Sequence, residues 1–407
     1  MTRDTSDFDI AIAGSGLVGL TLALAVAKAA PSLRIVVIDP ALPQPQADDT
    51  PVGLRVSALT PGSIENFKAL DVWSAMPHTH YQPYTTMRVW DAGVDCGEGV
   101  CFDAAAMGVA HLGSITDNVM LRESLWQRCM ASSGISSVEQ AVAGIQVSSR
   151  HVSIELSDGA TINASLLVGA DGRASRIRDF MGVDTIGWSH DQQALVAHLL
   201  PDTDHDGCAL QRFLPDGPLA LLPLPDKRVS LVLSTTPDEC ARLQALEDAR
   251  FEDALTEASD AVLGRLRLDS ARASFALESR YAREPIAQRC ALVGDAAHAV
   301  HPLAGQGANL GFADVAVLAT VIDDALRAGQ DIGDAPVLRR YRRARSADNL
   351  TTVYGLDLIN RLFARGDGTF AEARRRGMRW FDRIGVAKHL AAGHAMRGGR
   401  LPRGARE

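Results

Sequence analysis

The N-terminus carries a glycine-rich run that could hold a phosphate, and it consists of Gly14, Ser15, Gly16, Leu17, Val18 and Gly19. In this GxGxxG spacing, the first glycine allows a tight turn, the second lets a diphosphate approach the backbone, and the third lets a helix pack on a strand. Backbone amides at the start of that helix then face the phosphates. Asp39 follows Gly19 by 20 positions, where a carboxylate can bind ribose hydroxyls. The run predicts a dinucleotide site but does not distinguish FAD from NAD.

Two later runs each carry an acidic residue at the end of an apolar stretch. LLVGADGR ends its stretch at Asp171 and Gly172, and ALVGDAAH ends its stretch at Gly294 and Asp295. Ligands of open α/β sheets bind outside the carboxyl ends of the strands, so both acids are candidate ligand contacts. Their spacing is also compatible with ordinary strand–turn–helix junctions.

A second glycine-rich turn opens a long helix, and it includes Pro302, Gly305, Gln306, Gly307, Ala308 and Asn309. Unpaired amides at a helix N-terminus favour negative charge, such as the charge around the pyrimidine ring of a reduced flavin. The spacing differs from GxGxxG, so this turn does not indicate a second nucleotide-binding fold. A capped loop without a ligand is the alternative interpretation.

The apolar pattern assigns these motifs to secondary structure. It predicts strands at Phe8–Ala13 and Arg34–Ile38 around a helix at Leu17–Ala30, which together form a βαβ unit. Residues 10–27 contain no charge and reach the length of a membrane span. The glycines within this segment and the acidic residues before it favour a strand, a turn and a buried helix instead. We expect neither a signal peptide nor a transmembrane helix.

Strands predominate in the middle of the chain and helices at both ends. The predicted strands are Thr86–Asp91, His151–Leu156, Thr161–Val168, Leu219–Pro223 and Val229–Ser234. The predicted helices are Asp238–Arg265, Asn309–Ala328 and Val337–Phe363. This order predicts an α/β protein in which a sheet-rich domain is inserted into a dinucleotide-binding domain.

The composition excludes several functional classes. Hydrophobic residues make up 46% and charged residues 22% of the chain, which is typical of a soluble globular protein. The net charge of −8 argues against nucleic-acid binding, which needs a basic surface. The six cysteines form no CxxC pair, so we expect reduced thiols in a cytoplasmic protein and no metal site.

Three motifs taken together carry a family resemblance. GSGLVG, GADGRASRIR and GDAAHAVHPLAGQGANLGFAD occur in the order found in the group A flavin monooxygenases, the para-hydroxybenzoate hydroxylase type. The segments RVSAL, MRVWD and FLPDGPLALLPLP, and the late residues Tyr341, Arg345, Asp348 and Asn349, resemble the ubiquinone-biosynthesis FAD-dependent hydroxylase family. The resemblance covers roughly Asp9 to Pro402. It implies an FAD-binding Rossmann-like domain with an inserted substrate domain and C-terminal helices.

This resemblance gives expected domain boundaries. The FAD-binding domain would comprise residues 1–75, 106–180 and 281–335, and the substrate-binding sheet domain residues 76–105 and 181–280. Residues 336–407 would form a C-terminal helical region with a basic tail.

The same resemblance implies residue roles. The expected cofactor contacts are Gly14, Gly16, Leu17, Val18, Gly19, Asp39, Arg55, Asn118, Asp171, Gly172, Gly294, Asp295, Pro302, Gly305, Gln306, Gly307, Ala308 and Asn309. Arg55 falls near the FAD phosphates, Asn118 near the flavin, and Asp295 on the ribityl chain or ribose. Asp171 and Gly172 belong to a motif linked to both FAD and NAD(P)H. His298 is expected to pack near the flavin rather than to bind a metal.

The implied activity is hydroxylation of a polyprenylated phenol on the route to ubiquinone. NAD(P)H would reduce FAD, and O2 would add to form a flavin C4a-hydroperoxide that transfers its distal oxygen to the ring. No catalytic base is identified. The alternatives are a flavin hydroxylase of a soluble aromatic compound, a prenyl reductase of the same fold, and a catalytically silent FAD-binding scaffold subunit. The ring position and the choice of NADH or NADPH stay open.

The C-terminal segment from Ala371 to Glu407 is basic in an otherwise acidic chain, with ten basic and three acidic residues. Interspersed among the charges are Met378, Trp380, Phe381, Ile384, Val386 and Leu390, a spacing compatible with one helical face. A basic amphipathic helix suits an anionic membrane surface, so peripheral contact at the inner face of the membrane is one interpretation. A solvated tail, or docking on an acidic subunit of a biosynthetic complex, is the other.

The membrane interpretation predicts that truncation after Ala371 weakens binding to anionic vesicles, because it removes most of the positive charge that attracts the lipid. Sedimentation with vesicles at low and high salt measures this. Equal binding of the full-length and truncated proteins at both salt concentrations would remove the tail from any membrane role.

Overall fold

The computed structural model describes residues 7–47, 50–301 and 306–364, together with residues 372, 376, 377, 380 and 401. The helices within these ranges are α1 (Leu17–Ala29), α2 (Pro61–Ala69), α3 (Asn118–Met130), α4 (Arg176–Phe180), α5 (Pro237–Ala245), α6 (Asp248–Ala258), α7 (Gln306–Arg327) and α8 (Ala335–Ala364).

The strands in the same ranges are β1 (Phe8–Ala13), β2 (Ile35–Ile38), β3 (Val56–Leu59), β4 (Tyr81–Tyr84), β5 (Thr86–Asp91), β6 (Val100–Asp103), β7 (Gly113–Asp117), β8 (Ile135–Val138), β9 (Val142–Val147), β10 (Val152–Leu156), β11 (Thr161–Gly169), β12 (Thr185–Pro201), β13 (Cys208–Leu214), β14 (Gly217–Pro223), β15 (Val229–Thr235), β16 (Leu266–Leu268), β17 (Ala273–Ala282), β18 (Ile286–Ala287), β19 (Cys290–Leu292) and β20 (His298–Ala299).

The first sheet has a parallel centre in the order β19, β11, β1, β2, β8. Ile10 and Ile12 of β1 pack on one face with apolar residues of α1, α7 and the start of α8. Ala11 and Ala13 face the other side, against the β9–β10 hairpin and α4. Both faces are therefore covered, which explains why these strands are continuously apolar.

The second sheet has nine strands, and its central order is β17, β12, β15, β14, β13, β5. Because side chains alternate along a strand, Leu231 and Leu233 of β15 face a core with α5 and α6. Val232 and Ser234 face the opposite way, into a cavity. This sheet thus buries one face under helices and presents the other to a ligand. A third sheet, β3–β7–β4, lies beside the same cavity.

The strands and helices predicted from the sequence are confirmed, to within a few residues at their ends, with one exception. The predicted helix Asp238–Arg265 is wrong: two helices, α5 and α6, replace it, and the segment after α6 turns into β16. The guanidinium of Arg272 donates hydrogen bonds to Leu243 O and Leu246 O at the end of α5. Arg272 therefore caps this helix end from a distant part of the chain.

The strands of the first sheet lie in the segments expected for the FAD-binding domain, and most strands of the second sheet lie in those expected for the substrate domain. The six cysteines are free. None of the helices in the described ranges has the length and hydrophobicity to cross a membrane. The tail from Ala371 onward lies outside the described residues, apart from residues 372, 376, 377, 380 and 401.

Candidate functional site

A cavity of about 560 Å³ lies between the first and second sheets. One wall consists of the N-terminal turns of α1, α3 and α7 together with the ends of β11 and β19. The facing wall comes from the second sheet and is mostly apolar, with Met87, Val196, Ala220, Leu222, Val232 and Phe275. One wall therefore carries the sequence motifs, and the other can accept an apolar ligand.

A second cavity, of about 430 Å³, adjoins the first on the side of Asp39. Gly14, Asp39 and Asp171 line it. The residues that line both cavities are Gly16, Arg122, Ala170 and Gly172. Two adjoining spaces of this kind suit an extended dinucleotide, with one end in each cavity.

The glycines of the first motif have three different surroundings. Gly14 has φ +112°, and a Cβ there would lie 2.3 Å from Ala170 O. A Cβ at Gly19 would lie 2.0 Å from Gly14 O, so this glycine allows α1 to pack against the turn. A Cβ at Gly16 would meet no protein atom within 4 Å. Gly16 therefore keeps open the space where the two cavities meet.

Asp39 lies beside the second cavity, where its carboxylate holds two backbone segments. Ser15 N donates to Oδ2 over 2.6 Å and Ala41 N donates to Oδ1 over 2.8 Å. Asp39, which is expected to bind the ribose, therefore also fixes the glycine turn. Each oxygen retains a further lone pair that can accept a hydroxyl.

The first helix and the second motif are packed directly on each other. Leu17 and Val18 line the larger cavity, as does Asp295. A Cβ at Gly294 (φ +59°) would lie 3.0 Å from a methyl of Val18, and one at Gly311 would lie 2.6 Å from the same methyl. Glycine at 294 and 311 therefore lets Val18 sit between β19 and α7. The carboxylate of Asp295 is brought to the cavity by this packing.

The third motif begins α7, three residues before the expected start at Asn309. Gly307 and Ala308 line the cavity, and the amides of this first turn have no partner within the helix. Asn309 is expected at the flavin through this turn, and its buried side chain makes hydrogen bonds within the protein. Its amide donates to Ala58 O over 2.7 Å, and its oxygen accepts from Thr60 N over 3.0 Å. Asn309 thus joins α7 to the start of α2.

Three expected residues of this turn lie at the limit of the structure. Pro302 and Gly305 are outside the described residues, and Gln306 is described only as the first residue of α7.

Asp171 and Gly172 divide their roles. The carboxylate of Asp171 accepts from Ser175 Oγ over 2.5 Å and from Ile177 N over 3.1 Å, so it caps α4. Gly172 has φ +80° and lines both cavities. Gly172 thus borders both cavities, whereas Asp171 borders the smaller one and also holds the turn in place.

Arg55 and Asn118 both line the larger cavity. The guanidinium carbon of Arg55 lies 6.0 Å from the centre of the Phe275 ring, across the cavity. The Oδ1 atom of Asn118 is buried and has no hydrogen-bond partner in the described part of the chain. Since a buried acceptor without a partner is costly, this oxygen is available to a ligand.

The site rests on a buried cluster around Asp314, a residue of α7 that is fully buried. Its carboxylate accepts from Gly294 N over 3.0 Å and lies 2.5 Å from His298 Nε2. On its other side it accepts from Arg345 Nε over 2.8 Å and from Asn349 Nδ2 over 3.2 Å. Burial raises the pKa of such a carboxyl, but the attraction of His298 and Arg345 outweighs it and holds the pKa of Asp314 at about 2.

Together these observations show that the residues fit FAD. A glycine turn with open space at Gly16, a carboxylate at the second cavity and unpaired amides at α7 match the phosphate, ribose and flavin regions of the cofactor. Two residues of this arrangement were not recognised as functional from the sequence. Asp314 is the last residue of the motif GDAAHAVHPLAGQGANLGFAD. The sequence signal that could have found Arg122 is its position one helical turn after Asn118.

Comparison with known proteins gives concordant results. Residues 7–350 match the family described as FAD binding domain. The 3-demethoxyubiquinol 3-hydroxylase of Escherichia coli (strain K12) is 33% identical, over 95% of this chain and 98% of that protein. The ubiquinone hydroxylase UbiL of Rhodospirillum rubrum is 36% identical, over 95% of this chain and 89% of that protein.

A solved structure shows a similar fold at low identity. The crystal structure of p-nitrophenol 4-monooxygenase PnpA from Pseudomonas putida DLL-E4 superposes with a TM-score of 0.77 at 18% identity. The superposition covers 97% of this chain and 99% of that chain.

We predict that a methyl group added at two glycines of the first motif affects two different properties, FAD affinity at Gly16 and stability at Gly19. Gly16→Ala should leave the free energy of unfolding unchanged but weaken FAD binding about tenfold or more, because the methyl occupies ligand space. Gly19→Ala should destabilise the apoprotein by about 1–3 kcal/mol, because its methyl meets Gly14 O. Urea unfolding and FAD titration measure both; a Gly16→Ala apoprotein with wild-type FAD affinity would contradict the assignment.

We also predict that Asp314→Asn lowers the free energy of unfolding by about 3–5 kcal/mol, because it leaves the buried Arg345 with the exposed carboxylate of Asp348 as its remaining acidic partner in the described ranges. A carboxyl with a lowered folded pKa contributes stability above its unfolded value of 3.8 and loses it as the pH falls towards 2. The variant should therefore lose this acid dependence. Asp324→Asn, at an exposed position of α7, is the control; equal stability of the two variants would refute the prediction.

Proposed function

Because this chain belongs to the FAD-binding monooxygenase family of the ubiquinone-biosynthesis hydroxylases, we propose that it hydroxylates the ring of a polyprenylated phenol on the route to ubiquinone. The proposed co-substrates are O2 and NAD(P)H. The observation that carries the proposal is the apolar wall of the larger cavity, which lies opposite the FAD-binding motifs.

The second sheet forms that wall because side chains alternate between its two faces along each strand. In β14, Pro218, Ala220 and Leu222 face the cavity, whereas Leu219 and Leu221 pack under α5 and α6. A flat aromatic ring with an apolar substituent can be buried against such a surface without leaving polar groups unpaired. A highly charged substrate would find few partners there.

The polar residues of the cavity lie on the motif side and suit the cofactor. When bound, FAD supplies the redox chemistry of oxygen insertion, which side chains cannot carry out. The chain's own residues hold the reactants, align them and exclude water. Gly307 and Ala308 lie in the first turn of α7 and line the cavity. The amides of a helix N-terminus can stabilise negative charge on a ligand bound there.

Tyr84, at the end of β4 in the third sheet, is a polar residue that lines the larger cavity. Burial raises the pKa of its hydroxyl to about 12, so it stays protonated at neutral pH and can donate a hydrogen bond to a phenolic oxygen. The cavity-lining residues in the described ranges include no histidine, cysteine or lysine.

NAD(P)H is proposed as a transient reductant rather than as a resident cofactor. GSGLVG is the one GxGxxG run of the sequence, and it lies at the FAD site. The larger cavity carries Arg55 and Arg173 on the side facing β17, and both cations can attract the phosphates of an approaching nucleotide.

We expect FAD-loaded protein to consume NAD(P)H and O2 faster when a polyprenylated phenol is added, with hydroxylated product formed in equal amount. Ala220→Asp should raise the KM for this phenol about tenfold or more, because a carboxylate on the apolar wall is desolvated by the substrate. Its FAD affinity should stay at the wild-type value. Ala241→Asp, at an exposed position of α5, is the matched control.

The outcomes separate the alternative functions. Equal stimulation by a soluble phenol without a polyprenyl chain would favour a hydroxylase of soluble aromatics. Reduction of the prenyl chain without O2 uptake would favour a reductase. Binding of FAD with no substrate-dependent oxygen uptake would favour a scaffold. Lipid extracts of a deletion strain should accumulate the phenol that lacks one hydroxyl, which identifies the ring position.

A further inference from the structure

Arg122 occupies a distinctive place between the two cavities. The residues that line both are Gly16, Arg122, Ala170 and Gly172, and we call this set the waist. Two of them are glycines and one carries only a methyl group. Arg122 is thus the one long polar side chain at the waist in the described part of the chain.

The guanidinium of Arg122 is fixed by neutral oxygens. Its Nε donates to Ser15 O over 2.8 Å. Its Nη2 donates to Ser15 Oγ over 2.7 Å and to Ala41 O over 2.8 Å. No carboxylate in the described ranges lies within the 4.0 Å distance of an ion pair. Arg122 therefore places a positive charge at the waist that no acidic residue of the described ranges neutralises at contact distance.

The position of this charge matches a defined part of the cofactor. Asp39 lies at the smaller cavity, whereas Asp295 and the first turn of α7 lie at the larger one. An FAD molecule with its adenosine near Asp39 and its flavin near α7 must pass its diphosphate through the waist. The open space at Gly16 and the N-terminus of α1 lie at the same point. The space for a diphosphate therefore lies beside the Arg122 charge and the amides of α1.

We propose that Arg122 binds the FAD diphosphate and neutralises part of its charge. This inference goes beyond the proposed function, because it concerns retention of the cofactor whatever the substrate is. Arg122 acts as a positioning residue: the same guanidinium holds the glycine turn at Ser15 and the loop at Ala41, so the turn and the diphosphate share one anchor. The hydrogen bonds of Arg122 to Ser15 and Ala41 use Nε and Nη2, and a guanidinium has further N–H donors that can bind phosphate oxygens.

The test compares Arg122→Gln, Arg122→Lys and Arg128→Gln as apoproteins. Arg128 is the matched control, since it lies on the same helix, pairs with Asp71 and lines neither cavity. We expect Arg122→Gln to bind FAD about ten- to hundred-fold more weakly, the effect of losing hydrogen bonds to a charged group. Arg122→Lys should recover part of the affinity, and Arg128→Gln should match the wild type.

Two readouts distinguish charge on the diphosphate from a purely structural role. ADP and adenosine are used as competitors of FAD: the Arg122→Gln protein should lose affinity for ADP but keep that for adenosine, which has no phosphate. The salt dependence of FAD affinity should also be shallower in Arg122→Gln, because screening then acts on one cation fewer. Urea unfolding of each apoprotein reports any change of stability.

Three results would overturn the proposal. They are FAD affinity of Arg122→Gln within twofold of the wild type, equal loss of affinity for ADP and adenosine, and an unchanged salt dependence. If Arg122→Gln does not fold, the Arg122→Lys protein carries the same comparison: loss of affinity for ADP and adenosine alike would overturn the assignment. Failure of the hydroxylation assay with normal FAD binding would leave this inference intact and contradict the proposed function alone.

Discussion

The buried carboxylate of Asp314 is the interaction on which the arrangement of the site depends. A buried charge is costly unless it is paired and fully hydrogen-bonded. Asp314 meets this condition only if Gly294, His298 and Arg345 are all in place. These three residues belong to the end of the first sheet, the strand that reaches the second sheet, and α8. One carboxylate therefore fixes the relative positions of three segments that surround the cavity.

The second constraint is that helices and hairpins cover the two sheets differently. The first sheet is covered on both faces, so its ligands can bind only at strand ends and helix N-termini. The second sheet is covered on one face, so its other face is free to contact an apolar molecule. The proposed cofactor and substrate sites therefore lie on different sheets, on opposite sides of one cavity.

Several of the expected cofactor residues also hold the protein together. The carboxylates of Asp39 and Asp171 bind backbone amides of the turns that contain them, and Asn309 joins α7 to the start of α2. Such residues pre-form the shape of the ligand site before the ligand arrives, which reduces the ordering cost of binding. If a variant at one of these residues loses FAD affinity, the loss has two causes, a missing ligand contact and an altered turn. Variants at Gly16 and Asn118 change mainly the contact with the ligand.

The sequence by itself determined the elements whose causes are local. The GxGxxG turn, the βαβ unit and the apolar strands follow from glycine spacing and side-chain periodicity within short windows, and the order of the three motifs identified the family. Only the tertiary structure decided which hydrogen bonds form between residues that are far apart in the chain. Arg272 donates to the carbonyl of Leu246, just past the end of α5. The side chain of Asn309 bonds Ala58, and Arg122 of α3 reaches Ser15 in the glycine turn. These contacts join residues far apart in the chain, and the periodicity of one segment carries no information about the partner that folding brings to it.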